Sequence, residues 1–269
     1  FGFSRGNNRS GRADFEYTSI DITDKFLLKE VIHQIKPDVI INTAAMTNVD
    51  VCEVKKEACN LLNVTVVQWL SELSKELNAH IIQLSTDFIF DGKKGNYKET
   101  DTPKPLNYYG VTKLKSEEVL IASQVDFTIL RTILVYGQVF DKSRNNIVLW
   151  VKKSLEAKKE ITIVDDQYRM PTYVEDLALA CKIAMDKKAI GTFHISSKKL
   201  LSIYELAQQI AEVFQLDKNL IKPISTATLN QTAARPAITG FDLTKTNLEL
   251  AFYPKSFKDD LLKFKENSK

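Results

Sequence analysis

The chain has 269 residues, 44% of them hydrophobic, and a formal net charge of +3, which suits one large domain or a domain with an added lobe. Its lysines and arginines are scattered among acids, so no basic footprint for nucleic acid is present. Three cysteines (Cys52, Cys59 and Cys181) form neither a disulfide framework nor a metal-ligand spacing and suit a reducing cytoplasm, and no apolar run is long enough to span a membrane.

Gly2, Gly6 and Gly11 do not make a G-x-G-x-x-G turn, and no strand is predicted ahead of them. Residues 15–20 read as a strand, followed by a helix over 24–35 that Pro37 ends, since its ring cannot continue one. Residues 38–42 and 80–85 are apolar nearly throughout, as expected of strands covered on both faces. Helices are predicted over 55–78 and 107–123, the second capped by Asn107 after a loop holding Pro103 and Pro105. A strand at 126–131 follows. This alternation predicts βα units and a doubly wound, mainly parallel, Rossmann-like α/β sheet. After Gly137 the rhythm loosens into a helix at 145–158, short strands at 161–164 and 192–195, and helices at 174–187, 203–214 and 257–266. The expected division is a sheet domain over 1–138 and a smaller lobe over 139–269, with segments of the lobe returning to the main sheet.

Chemistry concentrates at Thr86 and in Tyr109-Gly-Val-Thr-Lys113. Four residues apart on a helix, the phenol and the ammonium share one face. A free phenol titrates near pH 10, and a nearby ammonium is expected to bring it toward neutrality. The Thr86 hydroxyl, at the end of the 80–85 strand, can bond the same substrate oxygen. With 30 Lys and 9 Tyr in the chain, about one such spacing arises by chance. The preceding strand, proline loop and helix cap therefore carry the reading, against the alternative of a solvated helix face.

The runs Asn42-Thr-Ala-Ala-Met-Thr-Asn-Val-Asp50, Ser85-Thr-Asp-Phe-Ile-Phe-Asp-Gly92, Tyr109-Gly-Val-Thr-Lys113 and Arg131-Thr-Ile-Leu-Val-Tyr-Gly137 resemble the extended short-chain dehydrogenase/reductases. Their order and spacing, with Asp166-Gln167, Pro171-Thr172 and Arg235-Pro236, are similar to the dTDP-4-dehydrorhamnose reductase family from residue 15 onward. Family members carry a strand, a glycine-rich turn and a helix ahead of this point, so roughly thirty further N-terminal residues are expected. The resemblance implies NADPH-dependent reduction of a 4-keto sugar nucleotide, in precursor synthesis for surface polysaccharide, with Thr86, Tyr109 and Lys113 catalytic. A homodimer is compatible with it. No metal is expected.

On the cofactor side the resemblance implies contacts from Ala44, Ala45, Thr47, Tyr109 and Lys113, and from the adenine-side pair Asp21 and Ile22. Small residues after a strand can equally serve tight packing, and Asp21 or Thr23 can simply cap the next helix. Arg5, with Arg9 and no acid before Asp14, favours the 2′-phosphate of NADPH over NADH, unless this is only a solvated basic loop. On the substrate side, Thr86, Asp87, Asn145, Trp150, Arg169 and Arg235 are expected to line the sugar-nucleotide cleft. Arg235 suits bidentate phosphate recognition. Arg169 stands where the family more often has Gly, which puts the sugar or nucleotide in question, and Trp150 can equally be core. Two other functions remain open. One is epimerisation or dehydration on the same scaffold, although dehydratases carry Asp-Glu after the catalytic Thr, where Asp87-Phe88 stand here. The other is a non-catalytic NADP-binding subunit resembling the methionine adenosyltransferase β-subunit.

Overall fold

The computed structural model describes residues 1–141, 145–229 and 231–267. Its elements in chain order are β1 (Gly2–Ser4), β2 (Tyr17–Ser19), α1 (Lys25–Ile35), β3 (Val39–Asn42), α2 (Val49–Val54), α3 (Lys56–Asn60), α4 (Val66–Leu77), β4 (His80–Thr86), β5 (Gly95–Tyr97), α5 (Tyr108–Ser123), β6 (Phe127–Thr132), α6 (Ile147–Glu156), β7 (Ile161–Val164), β8 (Tyr168–Arg169), α7 (Val174–Asp186), β9 (Gly191–Ile195), β10 (Leu201–Ser202), α8 (Ile203–Phe214), β11 (Ile221–Ile224), β12 (Ile238–Phe241) and α9 (Phe257–Asn267).

The central sheet is parallel throughout, in the order β3-β4-β6-β9. Successive side chains of a strand point to opposite faces, and both faces here are apolar. Ile81 and Ile129 pack with Leu28, Ile32, Val67 and Leu70, from α1 and α4. Ile82 and Leu130 pack the other way, onto Leu177, Ala180 and Ala184 of α7. Two-sided coverage explains why these strands lack alternation, and it makes the sheet doubly wound.

β1 and β2 form a separate parallel pair, with Phe3 opposite Thr18. A strand at Gly2–Ser4 was not expected from three residues with two small side chains. An apolar trough of about 340 Å³ is lined from one side by Phe1 and Phe3 and from the other by Ile40 and Ile41. Among the described residues β3 pairs only with β4.

Local signals account for most helix ends. Asp24 accepts from the backbone N–H groups of Phe26 and Leu27 to start α1, and Lys36 ends it in the left-handed region. Ser202 and Glu205 form a reciprocal capping box on α8. The expected helix over 55–78 is interrupted. A π-turn at Leu61–Thr65 separates α3 from α4, and α2 was not anticipated. That π-turn turns Asn63 inward, where its amide bonds both the N–H and the C=O of Met46 and the Thr112 hydroxyl.

A second sheet, β10-β8-β12-β5, is assembled from segments far apart in sequence, and β11 pairs with β7. β5 comes from the first half of the chain and β9 from the second, so each sheet draws strands from both. The lobe's core is built from Val148, Val151 and Leu155 of α6, Ile161 and Ile163 of β7, Leu206 and Ile210 of α8, and Phe257, Leu261 and Phe264 of α9.

Candidate active site

β4 ends at Thr86, and α5 begins at Tyr108 beside it. Asn107 caps α5 by accepting from Gly110 N, while its own amide donates to the Ala234 carbonyl. The Glu53 carboxylate accepts from Tyr108 N at 2.6 Å, adding negative charge at a helix N-terminus, where the dipole favours it. Gly110 lets the helix lie against the turn after β4: a Cβ there would stand 2.2 Å from the Phe88 carbonyl oxygen. Tyr109 and Lys113 thereby face the carboxyl end of the sheet, where ligands of such folds sit.

Two cavities meet at Tyr109. One, of about 590 Å³, is lined by Thr43, Ala44, Ala45, Thr47, Lys113 and Asn145, among others. The other, of about 520 Å³, is lined by Thr86, Asp87, Gln167, Arg169, Gln231 and Arg235, among others. Thr47, Ser85, Tyr109, Thr132 and Val135 border both.

The electrostatics differ from the sequence expectation in one respect. Burial pushes the Tyr109 phenol above its ordinary value, and a hydrogen bond with the Thr86 hydroxyl only partly offsets this. Lys113 does not draw the phenol down as expected. Burial brings Lys113 itself down to about 8, Glu117 pulling the other way, and its Nζ donates to the Leu84 carbonyl at 2.6 Å. Asp87 is also raised by burial, against the pull of Arg169. It accepts from the Thr239 and Thr86 hydroxyls.

The remaining expected residues divide. Ala44, Ala45 and Thr47 share the larger cavity with Tyr109 and Lys113. Asn145 lines that cavity too, rather than the Arg235 cavity where it was expected. Trp150 lines neither cavity, which corrects the expectation of a stacking surface. α6 turns Val148, Val151 and Leu155 into the core, and Trp150, on another face, is 38% exposed. Arg169 does border the smaller cavity, but its donors are already engaged. Nη1 donates to the carbonyls of Tyr168 and Ala237, and Nη2 to Pro236 O and Gln167 Oε1. Its Nε lies 3.8 Å from Asp87. Arg235 is held by Asp50 at 2.7 Å. Asp21 accepts from Thr23 N and Thr23 Oγ1 in a local turn, while the next helix is capped by Asp24 rather than by Asp21 or Thr23, and Asp21 lies 3.6 Å from Arg5, whose side chain is 77% exposed. Ile22 lines the trough beside β1.

Several residues of this site were not anticipated. Asp50, Asn63 and Glu117 act across the fold, and only Glu117 left a trace in the sequence, four residues beyond Lys113.

A doubly wound parallel sheet with a hydroxyl, a phenol and an ammonium at its carboxyl edge defines a Rossmann-like fold of the short-chain dehydrogenase/reductase type. The chain belongs to the family described as RmlD substrate binding domain, which matches residues 6–269. It is 32% identical over 264 residues to the dTDP-4-dehydrorhamnose reductase of Aggregatibacter actinomycetemcomitans, covering 94% of this chain and 88% of that protein. It is 31% identical over 219 residues to methionine adenosyltransferase 2 subunit beta of Pongo abelii, covering 80% of this chain and 66% of that one, so it spans slightly under two thirds of that relative's length. Among solved structures, dTDP-4-dehydrorhamnose reductase from Bacillus anthracis in complex with NADP superposes with a TM-score of 0.88 at 28% identity, covering 94% of this chain and 91% of that one.

Proposed function

We propose that this protein reduces the C4 keto group of a nucleotide-activated deoxysugar with NADPH. The observation that carries this reading is the position of Tyr109, on the border between a cavity floored by small residues and a cavity walled by arginines. The relatives from A. actinomycetemcomitans and B. anthracis support it, the second being a complex with NADP.

The residues present fit a nicotinamide nucleotide. Ala44 and Ala45 leave the backbone after β3 open to close approach, with Thr47, Tyr109 and Lys113 around them. Lys113 would hold the nicotinamide ribose hydroxyls. Asp21, Ile22 and Arg5 would serve the adenosine side, where the largely exposed Arg5 is available to a 2′-phosphate. NADH would be the weaker cofactor. When bound, the nucleotide supplies the hydride.

This chain's residues handle the proton and the charge. A phenol held above its ordinary pKa stays protonated at neutral pH, which a proton donor to the C4 oxygen requires. Thr86 orients the carbonyl and donates to the negative charge that develops on its oxygen. Arg235 would receive the diphosphate by exchanging its pairing with Asp50. Arg169 and Asp87 form the wall next to the sugar.

The test is incubation of the protein with NADPH and a panel of 4-keto sugar nucleotides, following loss of NADPH absorbance. Tyr109→Phe should lower turnover by about 10² to 10⁴ while NADPH still binds. Undiminished turnover in that variant would overturn the assignment.

A second reading, a non-catalytic NADP-binding subunit, draws on the match to methionine adenosyltransferase 2 subunit beta. Co-elution with a methionine adenosyltransferase catalytic subunit, together with no turnover of any keto sugar, would favour it. The presence of Thr86, Tyr109 and Lys113 together weighs for the enzyme.

A further inference from the structure

Tyr109, Lys113 and Glu117 follow at four-residue spacing on α5, and each engages a different residue at the end of β4. Tyr109 borders the smaller cavity together with Thr86, Lys113 Nζ donates to the Leu84 carbonyl, and Ser85 Oγ donates to Glu117 Oε1. Glu117 is 1% exposed, and Arg131 of β6 clamps it. Arg131 Nε donates to the two carboxylate oxygens at 3.0 and 3.2 Å, and Nη2 donates to Oε2 at 2.7 Å. Nη1 of the same arginine donates to the Glu99 carbonyl and lies 3.4 Å from His194 Nε2.

Two charges taken wholly out of water are weak evidence of stability, because apolar side chains of the same volume often serve as well or better. The carboxylate therefore calls for a use, and its neighbour one helical turn back supplies one. We propose that Glu117, clamped by Arg131 and bonded to Ser85, is a positioning residue for the reduction: it fixes the strand end that carries Thr86 and keeps Lys113 charged in a dry site. This rests on the reductase reading for its functional arm, but the link between the two charges does not.

The geometry leaves few other groups to set the Lys113 charge. On its own helix Lys113 is faced by Glu117 and the Tyr109 phenol. From α3 comes the buried Cys59 thiol, and from β6 comes Arg131, whose charge Glu117 absorbs. Asp87, in the turn after β4, is turned toward Arg169 and Thr239. Burial alone would drive the ammonium toward its neutral form, and Glu117 opposes this. A neutral amine would hold ribose hydroxyls less firmly and could not stabilise negative charge at the phenol.

The test reads the charge directly. Lysine labelled with ¹³C at the ε-carbon is titrated by NMR in the cofactor-free protein, and the Lys113 signal is assigned by its loss in Lys113→Arg. Wild type should show this one signal titrating near 8. In Glu117→Gln, which keeps the side chain's shape, the midpoint should fall by about one pH unit or more. If that variant does not fold, Glu117→Gln combined with Arg131→Gln removes both members of that ion pair, leaves neither of them without its partner, and should still lower the Lys113 midpoint. Ser85→Ala, which keeps the carboxylate, should leave the midpoint in place and lower kcat more than it raises KM. An unchanged midpoint in a folded Glu117→Gln protein, or in the double variant, would overturn the proposal. Where the midpoint falls, the basic limb of kcat/KM should move down by the same amount. A shifted midpoint in a protein that reduces no sugar nucleotide would uphold the charge link and refute the reductase reading instead.

Discussion

Replacing Lys113 with methionine should stabilise the free protein while removing its activity. The Lys113 residue is 3% exposed, and burial brings its ammonium from 10.5 down to about 8. At about 1.4 kcal/mol per pH unit, that interval is a penalty of about 3 kcal/mol carried by the charged side chain at neutrality. Methionine fills similar volume without charge. The lost hydrogen bond to Leu84 O costs about 1–1.5 kcal/mol, and no more, because that carbonyl still accepts from Gln83 Nε2 at 2.8 Å. The net gain is about 1–2 kcal/mol, or roughly 2–8 °C in Tm for a domain of this size. The sign with pH follows from proton binding. Between 8 and 10.5 the unfolded chain holds a proton on this lysine that the folded protein has released, so wild-type stability rises through that window. The variant's advantage should therefore be full below about 8 and gone above 10.5. Scanning calorimetry of both proteins across this range measures it, beside turnover with NADPH. A Lys113→Met protein less stable than wild type at neutral pH would refute the claim that this ammonium is held at a cost to the fold.

Further expectations test other parts of the site. Gly110→Ala puts a methyl 2.2 Å from the Phe88 carbonyl and 3.0 Å from Pro105 Cβ, so α5 must shift. It should cost about 1–3 kcal/mol in denaturant unfolding and lower kcat strongly, and a wild-type profile would show that the close approach is not needed. Arg235→Ala should raise KM for the sugar nucleotide by about ten- to a hundredfold with cofactor affinity unchanged. Asp50→Asn, which frees Arg235, should lower that KM, and equal KM values in all three proteins would remove Arg235 from the substrate side. Asp260 is 1% exposed, neither of its oxygens has a hydrogen-bond partner among the described residues, and burial with Asp176 nearby raises it to about 7. Its folded form thus holds a proton that the unfolded chain loses near 4, so wild-type stability should fall as pH rises from about 4 to 7. Asp260→Asn should gain stability relative to wild type above 7 and not near 4, and an equal difference at both ends, by urea unfolding, would show that the carboxyl is not the cause.

The grouping of Thr86, Tyr109 and Lys113 was legible because it is local. Tyr109 and Lys113 are spaced for one helix face, Thr86 closes an apolar run, and Asn107 announces the helix between them. The parallel sheet was legible for a similar reason, since two-sided burial leaves unbroken apolar runs such as Ile81-Ile82. What was not legible depends on partners far off in sequence. Arg235 is neutralised by Asp50, 185 positions away, and Arg169 spends its donors on carbonyls of Pro236 and Ala237. Nothing near either arginine foretells this. β8 and β10, two residues each, are too short to show a period, and their pairing comes from neighbours rather than propensity. Trp150 shows the converse failure, a side chain suited to stacking but placed on the wrong side of its helix.

The stitching of the second sheet from distant segments also sets the order in which the site can come into being during synthesis. Thr86, Tyr109 and Lys113 leave the ribosome early, together with the central strands that carry them. Asp87 then waits for Thr239, Asp50 for Ala233 and Arg235, and β5 for its partner β12. At ordinary elongation rates that interval is on the order of ten seconds. Through it the nascent chain displays a buried-type aspartate, an unpaired strand and an open cleft to the surrounding solution. The residues at the centre of the candidate site are translated first, and the residues that wall it arrive last.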